Sequence, residues 1–259
     1  MDDMTNINAA AELISKAKKV VAFTGAGVST ESGIPDFRSP GGIWEKYQPV
    51  YFQDFLASEE ARQKYWLRSR VTYPIIRDAK PNPTHLALAE LEKIGKLDCI
   101  ITQNIDRLHH KAGSSAEKVI EIHGVSAIVN CLKCHERYPR DEIQALLEEK
   151  EEIVAPVCKS CGGPLKEATI SFGQAMPAKE MAEAEYKAQS CDLMLSLGSS
   201  LVVYPAAYMP QYAQGAGARL IIINMTPTPI DHAADLVFQA KTGEILPKIV
   251  EEVKIRIGG

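Results

Sequence analysis

Three features of the sequence predict an α/β fold built on a doubly wound parallel sheet. Short apolar runs alternate with longer amphipathic segments along the chain. Several of these runs end in Gly, Ser, Asn or His, as expected where parallel strands reach a ligand-binding edge. Two C-x-x-C pairs interrupt the alternation and indicate a small metal module. We therefore expect a Rossmann-like sheet that carries an inserted zinc-ribbon module and a helical insertion.

Composition limits the classes of function. The chain has 259 residues, of which 46% are hydrophobic and 24% charged, with a formal net charge of −4. This balance argues against a protein that binds nucleic acid strongly through bulk charge. No apolar run approaches the ~20 residues that span a bilayer, and the acidic N-terminus lacks a signal-peptide pattern. We expect a cytoplasmic protein without a membrane partner, in which six cysteines serve as metal ligands or buried thiols.

Alternating periodicity places the individual elements. The strands are predicted at 20–23, 97–102, 119–122, 192–197 and 219–223, with a last strand that begins at Val237. The helices are predicted at 6–19, 54–78, 85–94, 141–152, 176–190 and 246–255. Thr84 is the predicted N-cap of the helix at 85–94.

The first strand leads into a glycine-rich turn. Gly25-Ala26-Gly27 allows the backbone to turn tightly and to approach a phosphate closely. The match to a dinucleotide fingerprint is partial, because Thr30 stands where a third glycine would fall and no second strand leads to Glu45. Taken alone, G-x-G is equally consistent with any tight strand-to-helix turn. The segment 33–38, GIPDFR, combines Pro, an acid, an aromatic ring and a guanidinium, which favours a loop that covers a ligand.

Polar residues follow four other predicted strands. Gln103-Asn104-Ile105-Asp106 comes directly after the strand at 97–102, His123-Gly124 after the strand at 119–122, Gly198-Ser199-Ser200 after the strand at 192–197, and Asn224 after the strand at 219–223. In an open α/β sheet these ends meet at the ligand-binding edge. A helix cap at Asn104 or Asp106 is an alternative, and a lone His after a strand is more often structural than catalytic.

The cysteine spacing is the strongest metal signal. Cys131-x-x-Cys134 and Cys158-x-x-Cys161 suit a tetrahedral four-thiolate zinc site with no open position, hence a structural one. A pair of redox dithiols is the less favoured alternative, because no thioredoxin-like context surrounds them. Cys99 and Cys191 lie in apolar strand contexts and are predicted to be inert core residues.

Read together, the segments GAGVSTESGIPDFR, QNID, HG, the paired C-x-x-C and GSSLVVYP resemble the signatures of the sirtuins, NAD-dependent protein-lysine deacylases, of prokaryotic type. The resemblance spans roughly residues 18–250 in the family's order. It implies an NAD-binding domain formed by 1–36, 78–124 and 169–259, a helical cofactor-loop insertion at 37–77 and a zinc module at 125–168. One departure is Gln174, where the family usually has Glu.

The resemblance also implies roles for individual residues. His123 and Asn104 would be catalytic, with His123 acting as the base on a ribose hydroxyl. The NAD co-substrate would contact Gly25, Ala26, Gly27, Thr30, Asp36, Phe37, Arg38, Gln103, Asn104, Ile105, Asp106, Gly198, Ser199, Ser200, Asn224 and Thr242. An acylated-lysine protein or peptide would pair as a strand with Ile170, Phe172, Gly173, Gln174, Val202, Val203 and Tyr204. A structural zinc ion would bind Cys131, Cys134, Cys158 and Cys161.

The preferred acyl group is left open between two readings. Tyr65 and Arg68 are three residues apart on a predicted helix and so share one face. In some sirtuins such a pair reads the carboxylate of succinyl- or malonyl-lysine, whereas Pro35-Asp36-Phe37 resembles the deacetylase branch. We therefore expect deacetylation first and removal of acidic acyl groups second. A Rossmann oxidoreductase and a zinc-ribbon binding module are the alternatives outside the family.

Overall fold

The computed structural model describes residues 3–36, 42–149, 152 and 154–258. The described strands are β1 Val20–Thr24, β2 Leu97–Thr102, β3 Val119–Glu121, β4 Gly124–Cys131, β5 Arg137–Pro139, β6 Leu165–Thr169, β7 Leu193–Leu197, β8 Arg219–Ile223 and β9 Leu236–Phe238. The described helices are α1 Asp3–Lys16, α2 Ile43–Lys46, α3 Phe52–Ala57, α4 Glu59–Asp78, α5 Pro83–Lys93, α6 Leu108–Lys111, α7 Arg140–Glu148, α8 Ala178–Ser190, α9 Tyr208–Gly215 and α10 Thr242–Gly258.

The first of two compact units comprises 1–33, 80–122 and 178–259. Its six-stranded sheet has the order β3-β2-β1-β7-β8-β9, and every pair of neighbouring strands is parallel. Successive strands therefore move outward from β1 on one side and from β7 on the other. This reversal is the topological switch point of a Rossmann-like sheet, and it confirms the predicted fold class.

Apolar residues on both faces bury this sheet. Alternate positions such as Val20 and Ala22 belong to a core cluster shared with α1, α5 and α10. The intervening positions Val21 and Phe23 are also fully buried. Near-continuous apolar runs of this kind are expected in parallel strands covered on both sides.

The second compact unit comprises 34–79 and 123–177. Its antiparallel sheet has the order β5-β4-β6. A second apolar cluster joins this sheet to α3, α4 and α7. The segments predicted as a helical insertion (37–77) and a zinc module (125–168) both fall in this unit; their separation into two domains stays a prediction.

Two predicted helices differ from the structure for identifiable reasons. The first helix ends at Lys16 rather than Lys19, because the N–H groups of Lys18 and Lys19 donate to the Asp192 carboxylate at 2.8 Å. The predicted helix at 54–78 is two helices. Ser58 adopts an extended conformation between them and its hydroxyl accepts from the Ala61 N–H, which caps α4.

Caps and ends explain the remaining differences. Asn82, not Thr84, is the N-cap of α5, since its side chain accepts from the Thr84 N–H and Pro83 occupies the first helical position. The helix predicted at 141–152 is α7, which ends at Glu148, and the last helix begins at Thr242 instead of residue 246. The last strand ends at Phe238, close to where the sequence predicted its start.

Candidate active site

The turn after β1 packs directly on the turn after β7. The Gly25 N–H donates to the Leu197 carbonyl at 3.0 Å, and the Gly27 N–H donates to the Gly198 carbonyl at 2.8 Å. Gly198 has φ +58°, which is unfavourable for any residue with a side chain. A Cβ on Gly27 would lie 2.8 Å from the Gly198 oxygen. The two glycine-rich turns therefore meet at the switch point, where open α/β sheets bind ligands.

This turn offers donors of the kind that phosphate and ribose oxygens accept. The N–H of half-buried Ala26 has no acceptor among the described residues, and Ser200 is exposed. The Ser199 hydroxyl is the acceptor for the Leu201 N–H at 3.3 Å. Thr30 is exposed, and its hydroxyl donates to the Gly27 carbonyl at 2.9 Å. The chemistry of these groups fits the diphosphate and sugar of a dinucleotide.

The segment after β2 is tied to both turns. The Gln103 N–H donates to the Thr24 carbonyl at 3.0 Å, and its amide donates to the Ser199 hydroxyl at 3.0 Å. Asn104 is 8% exposed, and its amide donates to the Gly25 carbonyl at 3.0 Å. Three of the predicted strand ends, those of β1, β2 and β7, are thus brought together at one edge of the sheet.

Ser29 is a central residue that sequence reasoning did not single out. Its hydroxyl accepts from the Asn104 amide at 3.0 Å and donates to the Asp106 carboxylate at 2.7 Å. The other Asp106 oxygen accepts from the Leu108 N–H at 2.8 Å. These bonds hold Asn104 and Asp106 in one orientation. A serine within GAGVST was visible in the sequence, but its partners lie more than seventy residues away, with a separation of 77 to Asp106.

Burial shifts the titration of a carboxyl group at the end of β3. Glu121 has its pKa raised to about 7, chiefly because burial disfavours the charged form; Arg107 opposes the shift and Asp106 adds to it. The Glu121 carboxylate lies 3.9 Å from Arg107 Nε and 3.7 Å from His110 Nδ1. A group that titrates near neutrality therefore stands two residues before His123.

Asn224 and Thr242 lie at other points of the first unit. Asn224 follows β8, and its amide donates to the Thr226 carbonyl at 2.7 Å. Thr242 is buried at the start of α10, where its hydroxyl accepts from the Thr84 hydroxyl at 2.8 Å. Ile105 is half-buried. Their roles as NAD contacts stay predictions.

In the second unit, His123 is linked to the segment predicted to bind peptide. The Ile170 N–H donates to the His123 carbonyl at 2.9 Å, and Gly124 pairs with Thr169. The Phe172 carbonyl accepts from the Phe52 N–H at 2.9 Å, while the Gln174 side chain accepts from the Ser171 N–H at 3.1 Å. Gln174 therefore stabilises the turn of its own segment.

The other predicted peptide segment belongs to the first unit. Val202 and Tyr204 are 49% and 51% exposed, and Val203 is half-buried. An exposed segment of this kind suits pairing with a strand-like partner, although the Val203 carbonyl already accepts from the Ala207 N–H at 2.8 Å. Their contact with peptide stays a prediction.

Tyr65 lies in a different environment from the one an acyl-carboxylate reader requires. Tyr65 is 1% exposed, and its hydroxyl donates to the Glu167 carboxylate at 2.9 Å. Arg68 stacks on the Tyr65 ring, with its guanidinium carbon 5.2 Å from the ring centroid. The hydroxyl thus already binds a carboxylate of the protein itself. The acidic-acyl role of the pair stays a prediction, and this geometry gives it no support.

The four cysteines of the paired motifs form one cluster. Their sulfur atoms all lie within 4.8 Å of one another, with Cys131 and Cys161 at 3.5 Å and Cys134 and Cys158 at 3.6 Å. A tetrahedral zinc ion with Zn–S bonds of about 2.3 Å separates its sulfurs by roughly 3.8 Å, so the cluster fits. The N–H groups of Lys133 and Cys134 donate to Cys131 Sγ at 3.4 Å, which favours its thiolate.

The remaining predicted residues have different outcomes. Phe37 and Arg38 lie outside the described residues. Asp36 is described, and its carbonyl accepts from the Ile43 N–H at 3.0 Å. Cys99 and Cys191 are buried away from the cluster, as predicted, and burial raises the pKa of each thiol to about 12. Among the described helices, none is both long and apolar enough to cross a bilayer.

Both the sequence and the fold are similar to those of known proteins. The Sir2 family model matches residues 25–205. The NAD-dependent protein deacetylase 1 of Bradyrhizobium diazoefficiens is 47% identical over 239 residues, covering 92% of this chain and 93% of the relative. A solved structure of a Sir2 enzyme is 42% identical with a TM-score of 0.87, covering 97% of this chain and 99% of its own. A structure of Sir2Af2 bound to a myristoylated histone peptide is 38% identical with a TM-score of 0.81, covering 99% and 100%. The chain therefore belongs to the Sir2 family.

Proposed function

We propose that this protein is an NAD-dependent protein-lysine deacetylase. It cleaves NAD to nicotinamide and transfers the acyl group of a modified lysine to ADP-ribose, so that the products are free lysine and O-acyl-ADP-ribose. The observation that carries the proposal is the junction at the switch point, where Asn104 donates to Gly25 and Gln103 donates to Ser199 in a chain of the Sir2 family. Cytoplasmic location and the lack of strong nucleic-acid binding stay predictions from composition.

The first unit supplies the NAD contacts in this proposal. The Ala26 N–H and the hydroxyls of Ser199 and Ser200 bind diphosphate and ribose oxygens. Asn104, held by Gly25 and Ser29, orients the ribose that carries nicotinamide. Fixed amide and carbonyl dipoles stabilise the positive charge that develops as nicotinamide leaves, since they need no reorganisation.

The second unit supplies a proton acceptor and the peptide contact. The acyl oxygen of the substrate lysine bonds to the ribose carbon as the bond to nicotinamide breaks. The imidazole of His123 then accepts the proton of a ribose hydroxyl, whose oxygen attacks the acyl carbon. Water adds at that carbon as its bond to the lysine nitrogen breaks, and the nitrogen takes up a proton, which releases free lysine and O-acyl-ADP-ribose. Because Ile170 donates to the His123 carbonyl, the backbone of His123 and the backbone from Ile170 onward are held in one register.

Acetyl is the preferred acyl group in this proposal. The relative and the solved complex are described as a deacetylase and as a complex with a myristoylated peptide, both uncharged acyl chemistries. Glu167 already accepts the Tyr65 hydroxyl, and a second carboxylate near it would be repelled. A competition between acetyl- and succinyl-peptides tests this preference, and faster succinyl turnover that is lost in Arg68→Met would reverse it.

One assay decides the activity. The protein is incubated with NAD and an acetyl-lysine peptide, and mass spectrometry follows nicotinamide, deacetylated peptide and O-acetyl-ADP-ribose. All three should form together and require the peptide. If the absorbance of reduced nicotinamide increases and no free nicotinamide is released, the protein is an oxidoreductase instead.

Two histidine substitutions, one in the proposed site and one outside it, test the proposed base. His123→Ala should lower the rate roughly 10²–10⁴-fold, as loss of a general base does, while NAD binding by calorimetry persists. His232→Ala removes an exposed histidine of the first unit and serves as the control. A near wild-type rate for His123→Ala would rule out its proposed role.

A further inference from the structure

Two buried histidines lie directly beneath the segment that follows β2. His85, in the first turn of α5, is 0% exposed, and His109, in α6, is 2% exposed. Their ring centroids are 4.9 Å apart. Neither belongs to the predicted site. Apolar side chains would fill the same space in the core without a buried polar group. Two polar rings in such a place call for a physical account.

Hydrogen bonds determine which nitrogen of His109 carries a proton. The Thr24 hydroxyl donates its single proton to the Thr102 hydroxyl oxygen at 2.8 Å. His109 Nε2 lies 3.1 Å from the same Thr24 oxygen. Because that oxygen has no second proton to give, the imidazole must donate, so Nε2 is protonated. A neutral imidazole then leaves Nδ1 as an acceptor, and burial holds the pKa of His109 well below its ordinary value.

The same reasoning determines the tautomer of His85. The Asn82 backbone N–H donates to His85 Nδ1 at 3.3 Å, so Nδ1 is the acceptor and Nε2 carries the proton. Within the part of the chain that the structure describes, His85 Nε2 and His109 Nδ1 are both buried without a hydrogen-bond partner. One is a donor and the other an acceptor, on rings that are tilted by 55° to each other.

The chain of hydrogen bonds continues from Thr102 to the proposed NAD site. Thr102 Oγ1 also accepts from the Asn104 backbone N–H at 3.0 Å. Asn104 in turn donates to Gly25 and Ser29. Donation therefore runs from His109 to Thr24 and from Thr24 to Thr102, whose hydroxyl oxygen anchors the backbone of Asn104. His85 contributes by packing its ring against that of His109.

We propose that His85 and His109 are positioning residues, a pair of neutral Nε2–H tautomers that fixes Thr24 and Thr102 and so the orientation of Asn104. The assignment of Asn104 to NAD rests on the proposed function; the tautomers and the hydrogen-bond chain do not. Replacing His109 by a residue without a donor leaves the Thr24 oxygen short of one bond and lets the segment after β2 relax.

Kinetic variants test the positioning role. His109→Leu should lower kcat/KM for NAD about tenfold, as expected when a buried acceptor loses its partner. His109→Gln should restore most of the loss, because its amide N–H can reach the position of Nε2. His232→Leu makes the same change at an exposed histidine of the same unit, outside the chain of bonds, and should resemble the wild type.

A double-mutant cycle tests the connection itself. Thr102→Val removes the hydroxyl while keeping the shape, and it should reproduce the effect of His109→Leu. Combined, the two substitutions should cost no more than the larger single one, because both break the same chain. Additive losses, or a His109→Leu enzyme with wild-type NAD kinetics, would overturn the proposal.

A spectroscopic measurement keeps the test independent of activity and of folded variants. Imidazole ¹⁵N resonances of the wild-type protein should show Nε2–H tautomers for both rings. His85 should titrate near pH 4, because burial lowers its pKa to about 4, and His109 should titrate well below the ordinary histidine range. An Nδ1–H tautomer or an ordinary titration in either ring would refute the inference. Absent nicotinamide release with the expected tautomers would instead count against the proposed function alone.

Discussion

Each of the two units is stabilised internally by a different kind of polar contact. The site edge of the first unit relies on uncharged groups: Thr24, Thr102, Asn104, Ser29 and neutral His109 are joined by hydrogen bonds, with Asp106 as the charged member. Neutral hydrogen bonds give modest net stability, but they fix geometry without desolvating charge.

The interior of the second unit contains charges. Arg140 is 0% exposed, and its Nε donates to Glu167 at 2.9 Å, while Ser69 donates to the same carboxylate oxygen at 2.7 Å. The guanidinium also stacks on Tyr73 at 4.3 Å. Lys166 is 1% exposed, and its ammonium donates to the Thr169 carbonyl at 2.5 Å.

This difference has a physical lesson. Buried charges lose their hydration, so the second unit is stable only while every partner is present. A network of neutral groups loses only the bonds that are removed. We therefore expect single substitutions to destabilise the second unit more than the first.

The largest effect is expected from the metal ligands. Cys131→Ala should remove zinc and unfold the second unit, since structural zinc contributes about 10–16 kcal/mol to the folding of small metal-bound domains. Metal analysis and hydrogen exchange resolved by segment would measure this, with protection of 123–177 lost and that of β1 retained. Cys191→Ala, a buried thiol of the first unit, is the control. Less than one zinc per chain in the purified wild type would contradict the prediction.

The buried ion pair should come next. Arg140→Leu leaves Glu167 without its cation and should cost about 3–5 kcal/mol in the free energy of unfolding. The double variant Arg140→Met with Glu167→Leu should be considerably more stable than the single one, because both charges are gone. Chemical denaturation measures all three proteins. Equal stability of the single and double variants would mean that the pair, rather than the orphaned charge, controls the energy.

A steric change at the first unit should have a smaller effect on stability. Gly27→Ala inserts a Cβ 2.8 Å from the Gly198 oxygen, and overpacking of this kind costs about 1–3 kcal/mol. NAD affinity should fall with it, as the two turns separate. Gly215→Ala, where a Cβ meets no atom within 4 Å, is the control. Unchanged affinity in Gly27→Ala would show that the turn can move without affecting the ligand.

The smallest effects concern pH, and they separate the units by the pH window in which stability changes. Burial lowers the folded-state pKa of His85 to about 4, below the unfolded value of about 6.5, and Asp106 opposes this shift. Burial, together with His85 and His110, also lowers the pKa of His109. Below the unfolded pKa the unfolded chain binds protons that these rings refuse, so the stability of the first unit falls as pH drops from about 6.5 toward 4.

Lys166 acts at the opposite end of the scale. Burial lowers its pKa to about 8 from 10.5, with Glu167 opposing and Arg68 adding to the shift. The unfolded chain therefore binds more protons between these values, and the contribution of Lys166 to stability rises across that window. Denaturation midpoints of wild type and Lys166→Met between pH 7 and 10 measure it; parallel curves for the two proteins would exclude the effect.

Most of the parallel sheet could be predicted because its signal is local. Apolar runs such as Leu97–Thr102 predict buried strands, and the polar segments after them predict the ligand-binding edge of the sheet. The cysteine cluster was equally accessible from spacing alone. Helix ends were less so: Ser58 and Asn82 act as caps through bonds to the Ala61 and Thr84 N–H groups, and neighbouring Ser and Thr residues carry the same signal.

What the sequence does not reveal depends on long-range contact. Lys166, Glu167 and Arg140 look like surface charges in the sequence and are buried in the structure. His85 and His109 are separated by a strand and a loop, and only folding places their rings together. Burial and pairing of this kind arise from tertiary packing, for which no local pattern exists.

The meeting of Gly25, Gly27 and Gly198 has a consequence for how this chain can vary. A Cβ at any of the three would fall within 3 Å of backbone in the opposite turn. Every codon change away from glycine adds at least that atom, so a library selected only for folding, with no NAD present, should already be depleted at all three positions. Depletion of substitutions at these glycines would therefore report the steric fit of the two turns and not a requirement for NAD binding. Genetic scoring of catalytic importance should therefore give more weight to Asn104 and His123, whose replacements add no atom between the two turns.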